Sequence, residues 1–409
     1  MKKKQIFFLI FILSILIIWN SCEDYATSVD PLIDRVEDER LTAENQTEFV
    51  INGVKTRFAT THDRLMVLAG LLSDEMFFDS NIPNATFPSF ADIDVGEITL
   101  DNNSVDGVFN GIGELRFFAD DIIRRVNEIS YDDQELKNEA LFNGYLYGGI
   151  ARYFYATYFG LTETQGGGVI DNGVFIPSAD MYNLAIEKFQ SALQYTEDAY
   201  LTRVVNSLIA RSYLIQGDYT NAQTFAQNGM TEGDDPFQSL HSIESDNYFW
   251  QQAGAGRTQA AVALRFKDYV TEDPAELARV QLDSITGNND SLYYRQGKYL
   301  TEDSPITFMS WQENNLMLAE LALRGAGTGD PLQLINDVRA SHGISALTAV
   351  DMNVLIVERD KELFVTGARL FDQRRLDNEY QTWHLEAGKW QYFPITERER
   401  NINPNIDLP

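Results

Sequence analysis

Val205-Asn-Ser-Leu-Ile-Ala-Arg-Ser-Tyr-Leu-Ile-Gln-Gly217-Asp-Tyr-Thr-Asn-Ala-Gln-Thr-Phe-Ala-Gln-Asn-Gly-Met230 is the stretch whose reading decides the fold. Val205, Leu208, Ile209, Ser212 and Tyr213 recur at i, i+3, i+4, i+7 and i+8, the spacing of one helix face. Gly217-Asp218-Tyr219 makes a turn, and Ala222, Phe225, Ala226, Gly229 and Met230 repeat the same spacing. Two helices joined so tightly form a hairpin, with small residues where they touch. Upstream, Ala185, Phe189, Ala192 and Leu193 sit at i, i+4, i+7 and i+8, which extends the helical pattern over 181–230.

Working outward, Tyr213, Gly217, Tyr219 and Ala222 stand as in a tetratricopeptide repeat, whose signature is small and aromatic residues at fixed offsets. A second hairpin is expected at 310–341. Leu316, Ala319, Glu320 and Leu323 precede the turn Gly325–Asp330, and Leu332, Leu334, Ile335 and Val338 follow it. A third is split, with 138–160 as its first helix and 181–197 as its second. Hairpins that cannot bury themselves alone imply a stacked scaffold. Further helices are expected at 47–78, 112–130 and 135–160. The last is apolar nearly all round, from Phe142 to Phe159, and so is expected to be buried on most sides. Its Gly144, Gly148 and Gly149 would let neighbouring helices approach closely. The expected fold class is all-α, tetratricopeptide-like helical hairpins with long irregular loops, the scaffold lying within 112–230 and 308–375.

Two stretches break this order. Residues 76–110 carry Pro83, Pro88 and many Asp and Asn, with no sustained period. Residues 232–308 hold Tyr248-Phe249-Trp250, the Gly254-Ala-Gly256 break and Tyr293-Tyr294, and read as long loops with one short helix and a strand pair. Long excursions in a compact domain are usually functional or disordered.

The chain has 409 residues, enough for a sizeable core, with 44% apolar and 23% charged residues. Its net charge of −29 argues against nucleic acid or an anionic membrane face as a main partner. Lys2, Lys3 and Lys4 precede an apolar run from Ile6 to Trp19, broken only by Ser14. Fourteen residues are too few to span a bilayer comfortably but fit a signal peptide. Cys22, the single cysteine, follows directly, so no intrachain disulfide or Cys-based zinc site is available. A lone cysteine there resembles a bacterial lipobox, with Trp19 and Asn20 in place of its usual Leu and small residue. Cys22 is read as the lipidation site. The alternative is cleavage elsewhere, with the cysteine left in the membrane. The expected organisation is a signal peptide over 1–21, a lipidated tether over 22–45 and one domain over 46–409.

Catalytic chemistry is sparse in this sequence. The four histidines, at 62, 241, 342 and 384, lie far apart, with no HExxH spacing, no GxSxG elbow and no Walker loop. Gly325, Gly327 and Gly329 follow a helix rather than a strand, which makes them a hairpin turn. Asp101, Asn103 and Asp106 start like a calcium loop, but Val105 and Ile112 occupy positions that need oxygen ligands. Those residues, and the pair Asp92 and Asp94, read as a solvated acidic loop, which leaves calcium binding open. No catalytic residue, metal site or cofactor is assigned. Aromatic residues make up 12% of the chain. Rings at helical spacing are core by default, so the informative ones lie in the excursions: Phe77, Phe78, Phe87 and Phe90 in the first, Tyr248, Phe249 and Trp250 in the second. Sugar rings have apolar CH faces that stack on such platforms. The competing reading is that these rings pin the loops to the scaffold.

Four segments together resemble the SusD/RagB family of Bacteroidetes nutrient-uptake lipoproteins. They are Cys22 with its signal; Glu139–Tyr145 through Arg152-Tyr-Phe-Tyr155 to Tyr158-Phe-Gly160; Trp311 through Leu-Ala-Glu320-Leu-Ala-Leu-Arg324; and the C-terminal third. The last holds Glu358-Arg359-Asp-Lys-Glu362-Leu363-Phe364, Gly367-Ala-Arg369, Asp372-Gln-Arg374, Phe393-Pro394-Ile395, Glu399 and Asn403-Pro404-Asn405. Arg359, Glu362, Arg369 and Arg374 are spaced to share faces of adjoining helices as an ion-pair network. Val365-Thr366 departs from the family's acidic residue before Gly367. Glu23-Asp24 resembles the phylum's surface-export signal.

The resemblance implies a SusD-like α-α superhelix held at the outer membrane by its lipid anchor alone and facing the cell exterior. It implies capture of a nutrient, chiefly an oligosaccharide or polysaccharide, and delivery to a SusC-like TonB-dependent transporter, with no catalysis. The family's ligand-contacting rings lie in variable loops, so none transfers by motif. One alternative is a structural tetratricopeptide lipoprotein that assembles outer-membrane proteins, and another is a glycan-active enzyme. The C-terminal motifs and aromatic excursions favour capture.

Overall fold

The structure, a computed structural model, describes residues 41–407. The signal peptide, Cys22 and most of the tether lie outside the described residues. The chain divides into Met1–Thr47 and Glu48–Pro409. Of the first unit the described residues hold one 3-10 turn, Glu44–Gln46.

Fourteen α-helices run through the described residues. The first seven are α1 (Thr47–Leu72), α2 (Pro88–Asp94), α3 (Asn103–Glu128), α4 (Gln134–Tyr158), α5 (Ser178–Ala192), α6 (Ala199–Gln216) and α7 (Tyr219–Ala226). Then come α8 (Tyr248–Ala253), α9 (Leu264–Glu272), α10 (Trp311–Leu323), α11 (Pro331–Ser341), α12 (Met352–Glu362), α13 (Ala368–Tyr380) and α14 (Glu397–Ile402). Among the described residues strands occur only as two-stranded pieces, the longest pairing Leu282–Thr286 with Leu292–Gln296 antiparallel. The class is all-α with tetratricopeptide-type hairpins.

The deciding hairpin is α6–α7. The Asp198 carboxylate accepts the N–H groups of Tyr200 and Leu201 and so caps the free amides of α6. Gly217, at φ 78°, ends the helix in the left-handed conformation that glycine adopts without strain. Asp218 then caps α7, and the Tyr213 and Phe225 rings stack across the hairpin at 5.8 Å. The second hairpin, α10–α11, is built the same way. Ser310 caps α10, Gly325 at φ 74° follows its end, and Asp330 with Pro331 opens α11. Asn314 ties the two hairpins together. Its Nδ2 donates to the Ala226 and Met230 carbonyls, and its Oδ1 accepts from Ser207.

The split hairpin is α4–α5, and α3 packs on the other side of α4. The burial expected of α4 is seen from Ala140 to Tyr158, where only Tyr145 is less than buried. A Cβ at Gly149 would sit 2.5 Å from the Phe189 ring, and one at Gly144 would sit 2.8 Å from Ile123. At Gly148 it would meet only ordinary contacts of 3.5 Å. Close approach therefore needs two of the three glycines.

Boundaries differ in three places. α1 stops at Leu72 rather than 78, because Met76–Phe77 pairs as a strand with Ala261–Val262. α3 begins at Asn103 rather than 112, because the Asn102 side chain caps it, so 103–110 is scaffold rather than excursion. Residues 232–308 hold two α-helices, α8 and α9, and not one.

The charged C-terminal run is a buried network, with one exception. Arg359 pairs with Asp372 at 2.8 Å, and Arg369 pairs with Asp74 at 2.6 Å. Glu362 lies 3.5 Å from Arg279 and 3.0 Å from His342. Among the described residues Arg374 forms no ion pair. Its guanidinium donates to the backbone carbonyls of Gln391 and Thr157, so it ties α4 to the chain after α13. Desolvation offsets much of the attraction in such pairs.

Candidate ligand-binding face

The two excursions close on each other. Beyond the pairing of Met76–Phe77 with Ala261–Val262, Gln259 accepts the Thr86 N–H at 2.8 Å and donates to the Asn84 carbonyl. Arg257 donates to the Thr86 hydroxyl at 2.8 Å. The Tyr293 hydroxyl donates to Asp79 at 2.7 Å, and the Asn288 N–H to the Asn81 carbonyl at 2.7 Å. A long unpaired loop is thereby held by partners roughly 170–210 residues away in sequence.

The rings fall into two groups. Phe90 and Phe249 are fully buried, Phe90 on the inner side of α2 and Phe249 against Tyr299 at 5.6 Å. Neither has a free face, so both pin their loops, as the competing reading of single rings held. Phe77, Phe78, Phe87, Tyr248 and Trp250 are half-buried. Phe77 packs on Tyr293 at 6.2 Å, and the Phe78 N–H is held by Asp94 at 3.1 Å. Phe87 rests edge-on against Phe90 at 5.3 Å. Asn247 caps α8 through the Trp250 N–H, which sets Tyr248 and Trp250 in one helical turn. Gly256 lies against Trp250, where a Cβ would meet the indole at 3.2 Å.

Exposed guanidiniums accompany the half-buried rings. Arg257 lies 5.0 Å from the Phe87 centroid, and Arg64 lies 5.6 Å from that of Tyr248. Burial pushes the Tyr248 phenol up to about 12, opposed by the charges of both Arg64 and Arg257. The Arg257 N–H donates to the Gln251 carbonyl of α8 at 2.7 Å, which sets the Arg257–Phe87 pair beside the helix that carries Tyr248. The phenol stays protonated at neutral pH and can donate or accept. Arg64 could not be found from sequence, because it sits on α1 rather than in a loop. Arg257 stands in the second excursion, but nothing in its neighbours marks it.

Behind this face lies a polar cluster. His62 Nδ1 is 2.9 Å from Ser239 Oγ, which is 3.4 Å from His241 Nε2, and His241 Nδ1 is 3.8 Å from Asp63. The order Ser–His–Asp invites a hydrolytic reading. Yet Ser239 is 1% exposed and its hydroxyl is engaged by His62 and the Ile306 carbonyl. Asp63 spends its carboxylate on the N–H groups of Arg64 and Tyr248. Burial raises Asp63 to about 7, and it holds both His62 and His241 below their usual range. The cluster positions Tyr248 and offers no reachable nucleophile.

Among the described residues no group of three or more His, Cys, Asp or Glu is placed to hold a metal ion. Asp94 accepts the Phe78 N–H, and Asp106 lies in α3 bonded to Asn110. No described helix is long and apolar enough to cross a membrane.

No protein-family model and no curated protein sequence matches this chain. Solved structures do. A SusD superfamily protein from Bacteroides thetaiotaomicron superimposes with a TM-score of 0.74 at 14% identity, covering 90% of this chain and 100% of that one. A SusD-like carbohydrate binding protein from Bacteroides vulgatus gives 0.70 at 14% identity, covering 89% and 97%. A laminarin binding SusD-like protein gives 0.69 at 13% identity, covering 89% and 98%. The helical architecture described above is thus shared with these proteins at near full length. The chain has the fold of the SusD superfamily.

Proposed function

We propose that this protein captures an oligosaccharide or polysaccharide at the outer-membrane surface and delivers it to a SusC-like TonB-dependent transporter, without chemistry of its own. The observation that carries the reading is the single face made by the two interlocked excursions. There Phe87 and Tyr248 each sit beside an exposed arginine. Rings held rigidly offer apolar platforms at little entropic cost, and guanidiniums donate to hydroxyls. A net charge of −29 disfavours polyanions and leaves neutral glycans as the better match. Similar folds named for carbohydrate and laminarin binding support the reading. Anchoring through Cys22 keeps the body of the protein outside the membrane.

The test is calorimetric titration of protein beginning at Glu23 with neutral α- and β-linked glucan oligosaccharides, laminarin fragments included. Tyr248→Ala with Trp250→Ala should weaken a bound glycan about tenfold or more while the melting temperature holds. Unchanged affinity in that variant removes the loop face as the site. Co-isolation of the lipidated protein with a TonB-dependent barrel tests the delivery step, and isolation as a free lipoprotein counts against it.

A further inference from the structure

A second concavity opens outside the ring-bearing loops. It is a cleft of about 1230 Å³ between the first half of α1, the first turns of α4, the α5–α6 connection and residues 236–240. None of the seven rings singled out above lines it. Phe58, on its wall, lies six residues before Arg64 on α1, roughly 9 Å along the helix axis.

The lining is of one chemical kind. Tyr147, Tyr195 and Tyr200 supply rings, and Asn138, Gln194 and Gln238 supply side-chain amides that bond to no other described residue. Tyr195 is backed by Tyr145, stacked behind it at 5.5 Å and 4°, and only Tyr195 of the two lines the cleft. Tyr147 is 5% exposed, and burial alone raises its phenol, with no hydrogen bond to the hydroxyl among the described residues. A hydroxyl that opens to a cleft without a protein partner is met by water or a ligand. The one cation, Lys55, faces Glu139 at 3.8 Å, while Glu135, Glu197 and Asp198 leave the walls acidic. Such a surface repels phosphates and sulfates. Uncharged donors and acceptors beside flat rings suit a neutral polyol.

We infer that this cleft is a second site for a neutral oligosaccharide, separate from the loop face. The inference rests on the glycan-capture reading. Its volume exceeds the roughly 300–1,000 Å³ of most small-molecule pockets, which fits a chain of several sugars rather than one. Two sites on one tethered protein would hold a long glycan at two points and slow its escape.

The experiment is calorimetric titration of the same soluble chain with neutral gluco-oligosaccharides of four to eight units, chosen from those the protein binds. The unaltered protein should show two sites per chain. Tyr248→Ala with Trp250→Ala should leave one, and Tyr195→Ala should leave the other. Asn138→Trp, at an exposed helix position, blocks the cleft without touching the core and should act as Tyr195→Ala does. One site per chain, lost in the loop variant and unchanged in both cleft variants, overturns this inference and leaves the capture reading standing. No binding by the unaltered protein overturns both.

Discussion

The Glu75 carboxylate accepts the backbone N–H of Val365 at 2.8 Å and so joins the end of α1 to the turn between α12 and α13. Val365 is β-branched and sits at φ 51°, a conformation such residues rarely adopt. Glu75 is 1% exposed, and its second oxygen has no hydrogen-bond partner among the described residues. A buried acceptor thus holds a strained turn at the centre of the charged C-terminal run.

Burial pushes Glu75 up to about 7, against the Val365 amide, with Asp360 adding and Arg265 and Arg369 opposing. A carboxyl raised in the fold favours the folded state most below its unfolded value, and that contribution is lost as pH rises through about 7. Glu75→Gln keeps an oxygen for Val365 and removes the charge. Its unfolding free energy relative to the parent should therefore rise between pH 5 and 8, with a span on the order of 2–3 kcal/mol. An offset that does not change with pH across that window refutes the assignment.

Gln259 is fully buried and serves both Thr86 and Asn84. Gln259→Ala should cost about 1–3 kcal/mol, because the excursion loses two hydrogen bonds that hold it. Amide exchange should quicken over residues 80–90 and stay unchanged in α6–α7. Uniform quickening throughout the chain would mean that the excursion is not an independent unit.

Arg211 and Glu313 pair at 2.8 Å between α6 and α10, with side chains 5% and 4% exposed. Glu313→Ala leaves a buried guanidinium without its counter-charge and should cost about 3–5 kcal/mol. The double variant Arg211→Met with Glu313→Leu should recover most of that loss in chemical denaturation. A double variant as unstable as the single one would show that packing, not charge, dominates.

Gly149→Ala should destabilise by about 1–3 kcal/mol, since its Cβ would meet the Phe189 ring at 2.5 Å. Gly148→Ala one position earlier should be neutral, or stabilising by up to about 1 kcal/mol through helix propensity. Similar losses at both positions would remove the close contact of α4 and α5 as the cause.

What the sequence determined by itself was local and periodic. The α6–α7 and α10–α11 hairpins follow from apolar spacing, an Asp or Ser cap and a terminal glycine, all within one or two turns of each other. The sequence placed Arg359, Glu362 and Arg369 in a charged network, and a short turn between α12 and α13 brings Arg359 onto Asp372. Tertiary structure decided what depends on partners far along the chain. Phe90 and Phe249 carry the same local signal as Phe87 and Trp250, and only tertiary packing buries the first two. Arg374 looks like its charged neighbours, yet the nearest acceptors are carbonyls of Gln391 and Thr157. The cleft has no sequence signature, because its walls come from four separate segments. Helix formation is settled by interactions within four residues, whereas exposure and shape are settled by which surfaces meet.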